Sequence, residues 1–272
     1  MNKINFLFII LVSIFLASCQ KDNEPVIIYD INDEFNIEIF QELNNSNSFF
    51  LKLTTLDEYP DNYRIEADVT NNNDKLELNI YRILKSNTAS SKNVTLSKKL
   101  ALNTLSLGTH SLDLIIRNSV VNEGAISITP ATVELDFSTK QGITAKHYEV
   151  NRIDPTGYWG VAYIESTNHI IYLDHFMQKI KAVSTEFVNP KVGNYGYFSI
   201  DDQNKINLPL IPHDNYKTFY LGTTDINAVN SYLQDYKSYG VGFHATIYTA
   251  QGQVFHHTAN SSPPTILQSI KH

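Results

Sequence analysis

The histidines of the last predicted hairpin have the spacing that best fits metal chemistry. Two strand-like runs flank a turn at Gln251-Gly252. If Thr249 pairs with Val254 across that turn, His244 and His257 become diagonal neighbours on one face, about 7 Å apart at the backbone. Because imidazole nitrogens are common ligands of zinc, this pairing predicts a candidate metal site.

A metal at this hairpin would need at least a third protein ligand. The candidates lie elsewhere in the second half of the chain: His213, Asp214, His169 and His175. The alternative is that the hairpin histidines are polar residues on a solvated strand face. We therefore predict no cofactor, and His244 and His257 stay the candidate pair.

The segment Gly157-Tyr158-Trp159-Gly160 has the composition of a stacking surface and contains the only tryptophan. Its glycines carry no side chains that would cover the rings, so Tyr158 and Trp159 are the candidate ligand-binding residues, open to a sugar ring. The alternative is ordinary strand packing of these rings. Further clustered tyrosines would add contact area: Tyr195, Tyr197, Tyr216, Tyr220 and Tyr239.

No complete catalytic motif occurs in the sequence. It contains no Gly-x-Ser-x-Gly elbow, His-Glu-x-x-His helix, Walker loop or Gly-x-Gly-x-x-Gly dinucleotide loop. A formal net charge of −7 argues against a nucleic-acid partner. These observations favour a binding or accessory module without catalysis. The alternative is a hydrolase that uses carboxylates or a histidine-bound metal in the second half.

The N-terminus has the features of a cleaved signal peptide that ends at the only cysteine. Lys3 supplies the positive charge, and an apolar run leads to Leu16-Ala17-Ser18-Cys19. The run is too short to span a membrane, which takes about 20 residues. The last four residues resemble the lipobox of bacterial lipoproteins. This resemblance implies a signal peptide at 1–18 and a diacylglycerol on Cys19.

The residues after Cys19 carry a second resemblance. The segment is similar to the export signal of surface-exposed lipoproteins of the Bacteroidetes, with Asn23 in place of the commoner acidic residue: Gln20, Lys21, Asp22, Asn23 and Glu24. It implies a protein that is anchored in outer-membrane lipid, faces the cell exterior and has a tether at 19–30. The alternative is an ordinary solvated tether. The expected partner is an external glycan, nutrient or protein.

Alternation of apolar and polar residues dominates from Phe35 to Phe137 and predicts short strands separated by turns. We therefore predict an antiparallel β-sandwich over residues 31–140. The Gly108-Thr109-His110 turn and the alternating strand after it resemble the late hairpin of bacterial Ig-like domains. This resemblance implies an Ig-like fold and a stalk or adhesion role.

The second half mixes strand and helix periods, which predicts an α+β domain over residues 145–272. The runs at 159–165 and 169–173 are predicted to be the two strands of a hairpin. Apolar residues at helical spacing predict a helix from Leu173 and another from Asp225. A polar joint near 138–145 predicts two separately folding domains. The tail from about residue 261 is predicted to be flexible.

Replacing Cys19 with Ala should move the protein from the membrane fraction to the soluble fraction, because the thiol that would carry the lipid is gone. Fractionation followed by immunoblotting measures the change, and Asn32→Ala serves as the control that keeps its anchor. If Cys19→Ala stays with the membrane, the lipoprotein interpretation is wrong.

Overall fold

The structure is a computed structural model that describes residues 32–44, 47–72, 75–187, 190–209, 213–236 and 242–258. Cys19, the export-signal residues and the tail from residue 261 lie outside the described residues. Among the described residues, strands account for 55% and helices for 13%, which confirms the predicted mainly β class with a small helical part.

The alternating segments of the first half form two sheets of a β-sandwich, as predicted. The first sheet has the order β5-β2-β1-β9 and consists of β1 (Phe35–Gln41), β2 (Ser48–Pro60), β5 (Asn93–Thr104) and β9 (Ile143–His147). The second has the order β10-β8-β7-β6-β4-β3 and consists of β3 (Tyr63–Asn72), β4 (Lys75–Lys85), β6 (Gly108–Ile116), β7 (Val120–Ile128), β8 (Thr132–Phe137) and β10 (Glu149–Asn151). Alternate residues are buried along parts of these strands, for example Leu76, Leu78 and Ile80 of β4.

The sandwich was predicted to be antiparallel, but each of its two sheets contains one pair of parallel strands. β1 pairs parallel with β9, and β4 pairs parallel with β6. β5 connects β4 to β6 but lies in the opposite sheet, so the chain crosses over and returns in the same direction. Alternation along a strand specifies which residues are buried, but it does not specify the direction of the neighbouring strand.

The predicted domain boundary near 138–145 falls within the sandwich. β8 lies in the second sheet and β9 in the first, so the polar residues 138–142 cross between the sheets. The next strand, β10, returns to pair with β8. Exposure of this crossover explains its polar composition, and the sandwich strands continue to Asn151 instead of ending near residue 140.

A third sheet has the order β12-β16-β11-β17-β18, with all neighbours antiparallel. Its strands are β11 (Gly157–Ile164), β12 (Thr185–Glu186), β16 (Tyr216–Gly222), β17 (Phe243–Thr249) and β18 (Val254–His257). Helix α1 (Ile170–Ala182) follows β11, and α2 (Ile226–Asp235) follows β16. The first four strands and both helices thus have the order of a split βαβ unit.

The two faces of this third sheet are covered by different partners. Helices α1 and α2 pack on one face through a cluster that includes Phe176, Leu233 and Phe243. The opposite face carries Trp159 and Tyr248 within a second cluster. That cluster also contains residues of a small sheet, whose strands are β13 (Gly193–Asn194), β14 (Ser199–Ile200) and β15 (Ile206–Asn207).

The second cluster joins the sandwich to the third sheet. Phe40 of β1 and Phe50 of β2 belong to it and stack with ring centroids 5.2 Å apart. The amide of Gln41 also bonds both to the N–H and to the carbonyl of Ile153. From Asn32 onward the chain accordingly forms one compact unit.

Replacing Phe40 with Ala should lower the free energy of unfolding by about 3–5 kcal/mol, because it opens a cavity in the shared cluster. Trp159 fluorescence and far-UV circular dichroism, followed in urea, should shift together to lower denaturant. Leu107→Ala is the control, since Leu107 is 59% exposed. Separate transitions for the two probes would instead support two independently folding halves.

Candidate functional site

The predicted stacking surface at Tyr158 and Trp159 is wrong, because both rings are buried. Tyr158 is 0% exposed and Trp159 is 1% exposed. The flanking glycines allow close strand approach instead of opening the rings. A Cβ on Gly160 would lie 2.1 Å from the carbonyl oxygen of Thr246 on β17.

Both rings have structural partners. Trp159 packs against Phe198 and Tyr248, with ring centroids 5.2 and 6.0 Å apart. The Tyr158 hydroxyl hydrogen-bonds with the Ser184 hydroxyl at 2.6 Å, and burial raises the pKa of Tyr158 to about 12. These rings therefore stabilise the fold and are closed to a ligand.

The predicted histidine pair is wrong because the last hairpin pairs one residue out of the expected register. Val254 pairs with Tyr248, so His257 lies opposite Ala245. Since neighbouring residues of a strand point to opposite faces, this slip places His244 and His257 on different faces of the sheet. His257 lies beside Phe243 on the helix-covered face, with ring centroids 6.2 Å apart.

His244 is buried within a polar and aromatic group on the other face. Its Nε2 lies 2.8 Å from Oε1 of Glu165, and its ring stacks on Tyr163 with centroids 4.5 Å apart. His213 stacks on Tyr163 at 5.7 Å. His256 lies on the same face. The pKa of His256 is lowered mainly by burial and also by the nearby charge of His244. This group orders the end of β11 and β17 by stacking and hydrogen bonding.

Two of the other proposed metal ligands contact aromatic residues at or near α1. His175 extends from α1, where its Nδ1 lies 2.8 Å from the hydroxyl of Tyr236. His169 lies in the 3-10 turn before α1 and meets the ring of Tyr172 edge-on. Across the residues that the structure describes, no three histidine, cysteine or acidic side chains form a group that could hold a metal.

A concave site that combines aromatic and charged side chains runs along the outer side of β16, and we call it the β16 groove. It is open to solvent and has a volume of about 600 Å³. Its described walls are residues 177 and 181 of α1, residues 186, 187 and 190 after it, residues 204–206 at β15, and residues 216–221 of β16.

The groove combines aromatic and charged side chains. Phe187 lies against Tyr220 with ring centroids 4.6 Å apart. The Nζ of Lys205 lies 5.7 Å from the ring centroid of Tyr216. Burial, the main cause, raises the pKa of Tyr220 well above its usual value, so its hydroxyl stays protonated. The groove can therefore offer ring surface and positive charge to one ligand.

The charge of the groove is opposite to that of the whole chain. Its described lining contains Lys181, Lys205 and Lys217 against the single carboxylate of Glu186. Glu186 pairs with Lys181 at 2.6 Å, and Asp174 pairs with Lys217 from α1. Within the described residues, Lys205 has no carboxylate at salt-bridge distance, although its charge helps to lower the pKa of the nearby Asp201. The lining itself is therefore net positive in a chain of net charge −7.

A smaller pocket adjoins the groove and shares Phe187, Pro190 and Tyr220 with it. This pocket has a volume of about 320 Å³ and reaches Arg152. Asp154 lies in its wall, where its N–H donates to the Tyr220 hydroxyl at 3.1 Å. The shared residues make the pocket a side branch of the β16 groove.

Of the clustered tyrosines, Tyr216 and Tyr220 line the groove and Tyr195 lines the side pocket. Tyr197 is buried, where its hydroxyl donates to the carbonyl of Gln41, and Tyr239 lies outside the described residues. The tyrosine cluster was therefore the one sequence signal that pointed toward the groove. The lysines gave no such signal, because they come from three separate elements.

No protein-family model matches this chain, and no curated protein or solved structure was found that resembles it. Within the described ranges, no helix is both long enough and apolar enough to cross a membrane.

Proposed function

We propose that this chain is a lipid-anchored cell-surface protein that binds an extended, anionic ligand in the β16 groove. The observation that carries the proposal is the groove itself, where an open edge of a sheet meets aromatic rings and an excess of lysine. A groove of about 600 Å³ falls within the size range of ligand sites.

Lysines of the groove can exchange their present partners for a ligand carboxylate at small cost. The Lys181–Glu186 pair is exposed, with side-chain exposures of 51% and 62%. Exposed ion pairs contribute about 0–1 kcal/mol, so a ligand carboxylate can compete with Glu186. Lys205 needs no exchange, since the described residues place no carboxylate at salt-bridge distance from it.

The proposed location on the cell surface supports a ligand from outside the cell. A diacylglycerol on Cys19 and the export-signal resemblance of residues 20–24 would hold the folded body outside the cell. A groove that faces solvent in that position meets polymers of the environment. The hydrolase alternative loses its histidine basis, because His244 and His257 lie on different faces of the third sheet.

The test measures binding of two anionic polymers, poly-L-glutamate and polygalacturonate, to the chain from Gln20 onward at low salt. Lys205→Glu should weaken the binding of at least one polymer by about five-fold, which corresponds to the loss of one exposed charge contact. Isothermal titration calorimetry measures the affinity, and added salt should reduce it because exposed charges are screened.

Lys92→Glu is the matched control, because it makes the same charge change at an exposed site in the sandwich. Equal losses in the two variants would show that the polymers respond to net charge alone. Failure of both polymers to bind the unchanged chain would contradict the proposed function.

A further inference from the structure

We infer that the β16 groove takes its ligand as an added β-strand, so that the ligand is an extended acidic peptide. This inference rests on the proposed binding function and names the chemistry of the ligand. Strand addition uses main-chain hydrogen bonds for affinity and alternate side chains for specificity.

The first argument is that strand pairing on the outer side of β16 covers only the end of this strand. β12 pairs only with Gly222 and Leu221. In the described part of the chain, no strand pairs with the outer edge of residues 216–220. The groove follows this length of β16, so a peptide lying in it would run beside an edge that lacks a described strand partner.

The second argument is the direction of the backbone groups on that edge. Residues of an antiparallel strand alternate between those that bond one neighbour and those that point away from it. Asn215 accepts from the N–H of Ile164, and Thr223 donates to the carbonyl of Thr156, which places odd-numbered residues in the bonds to β11. The N–H and C=O groups of Tyr216, Thr218 and Tyr220 therefore point outward, toward the groove.

The third argument is that the two walls of the groove differ. Met177 and Lys181 of α1 form the wall on the helix-covered side of β16, and Lys217 points to that side because it pairs with Asp174. Residues 204–206 form the other wall, and the Thr218 hydroxyl donates to the carbonyl of Ile206 at 2.7 Å. Alternate side chains of an added strand would each meet a wall that carries a lysine.

The fourth argument is charge, which selects an acidic peptide over a second copy of the chain. Lysines on an edge strand discourage pairing with a similar edge. If two copies paired edge to edge, Lys205 and Lys217 of each would approach the same lysines of the other. The acidic side chains of such a strand meet a lysine on whichever wall they face, so the strand gains where a second copy is repelled.

The test uses a capped octapeptide of alternating Glu and Val, titrated into the chain from Gln20 onward. Three further peptides carry N-methyl groups on the Glu amides, on the Val amides, or on all amides. Full N-methylation should lower the affinity by at least about ten-fold, because it removes every donor that could reach the edge of β16. One of the half-methylated peptides should lose more than the other, because only alternate residues pair with an edge.

Equal binding of the unmethylated and fully methylated peptides would overturn strand addition. Lys205-dependent binding of polygalacturonate without binding of the octapeptide would overturn it too, while leaving the proposed binding function intact. Self-association of the free chain that the octapeptide reverses, seen by sedimentation velocity, would assign the edge to a second copy instead.

Discussion

The burial of Trp159 is the constraint on which the arrangement of this protein depends. β11 is the central strand of the third sheet, and its two faces are covered by the helices and by the cluster around Trp159. That cluster includes Phe40, and Gly196 packs so closely on Phe40 that a Cβ there would lie 2.8 Å from its ring. Because packing covers both faces at the centre of the sheet, surface open to solvent remains along an edge, where the β16 groove lies.

The class of the fold could be predicted from the sequence because burial imposes a period on each strand. The alternating runs of the sandwich form strands, and α2 begins where Asp225 accepts hydrogen bonds from the N–H groups of Asn227 and Ala228. The run at 169–173 was misread as a strand, since its β-branched Ile170 and Ile171 are typical of strands. They are exposed residues at the start of α1 instead. Parallel neighbours and the crossover at 138–142 depend on contacts between distant segments, which local patterns do not contain.

The site was harder to predict because it depends on register and on tertiary placement. A shift of one residue in the last hairpin separated His244 from His257, and local turn residues did not specify that shift. The glycines beside Trp159 would look the same in the sequence whether they left its ring exposed or allowed a neighbouring strand to pack closely. The groove lysines belong to α1, to the loop before β15 and to β16, so only the folded chain places them together.

Amide hydrogen exchange by NMR tests strand addition at β16 most directly, because it reports on single N–H groups of the protein. On addition of the Glu-Val octapeptide, exchange should slow at Tyr216, Thr218 and Tyr220, whose N–H groups point outward. The amides of Lys217 and Phe219 should change little, since they already bond to β11. Uniform slowing along β16, or protection elsewhere with these three amides unchanged, would contradict the account.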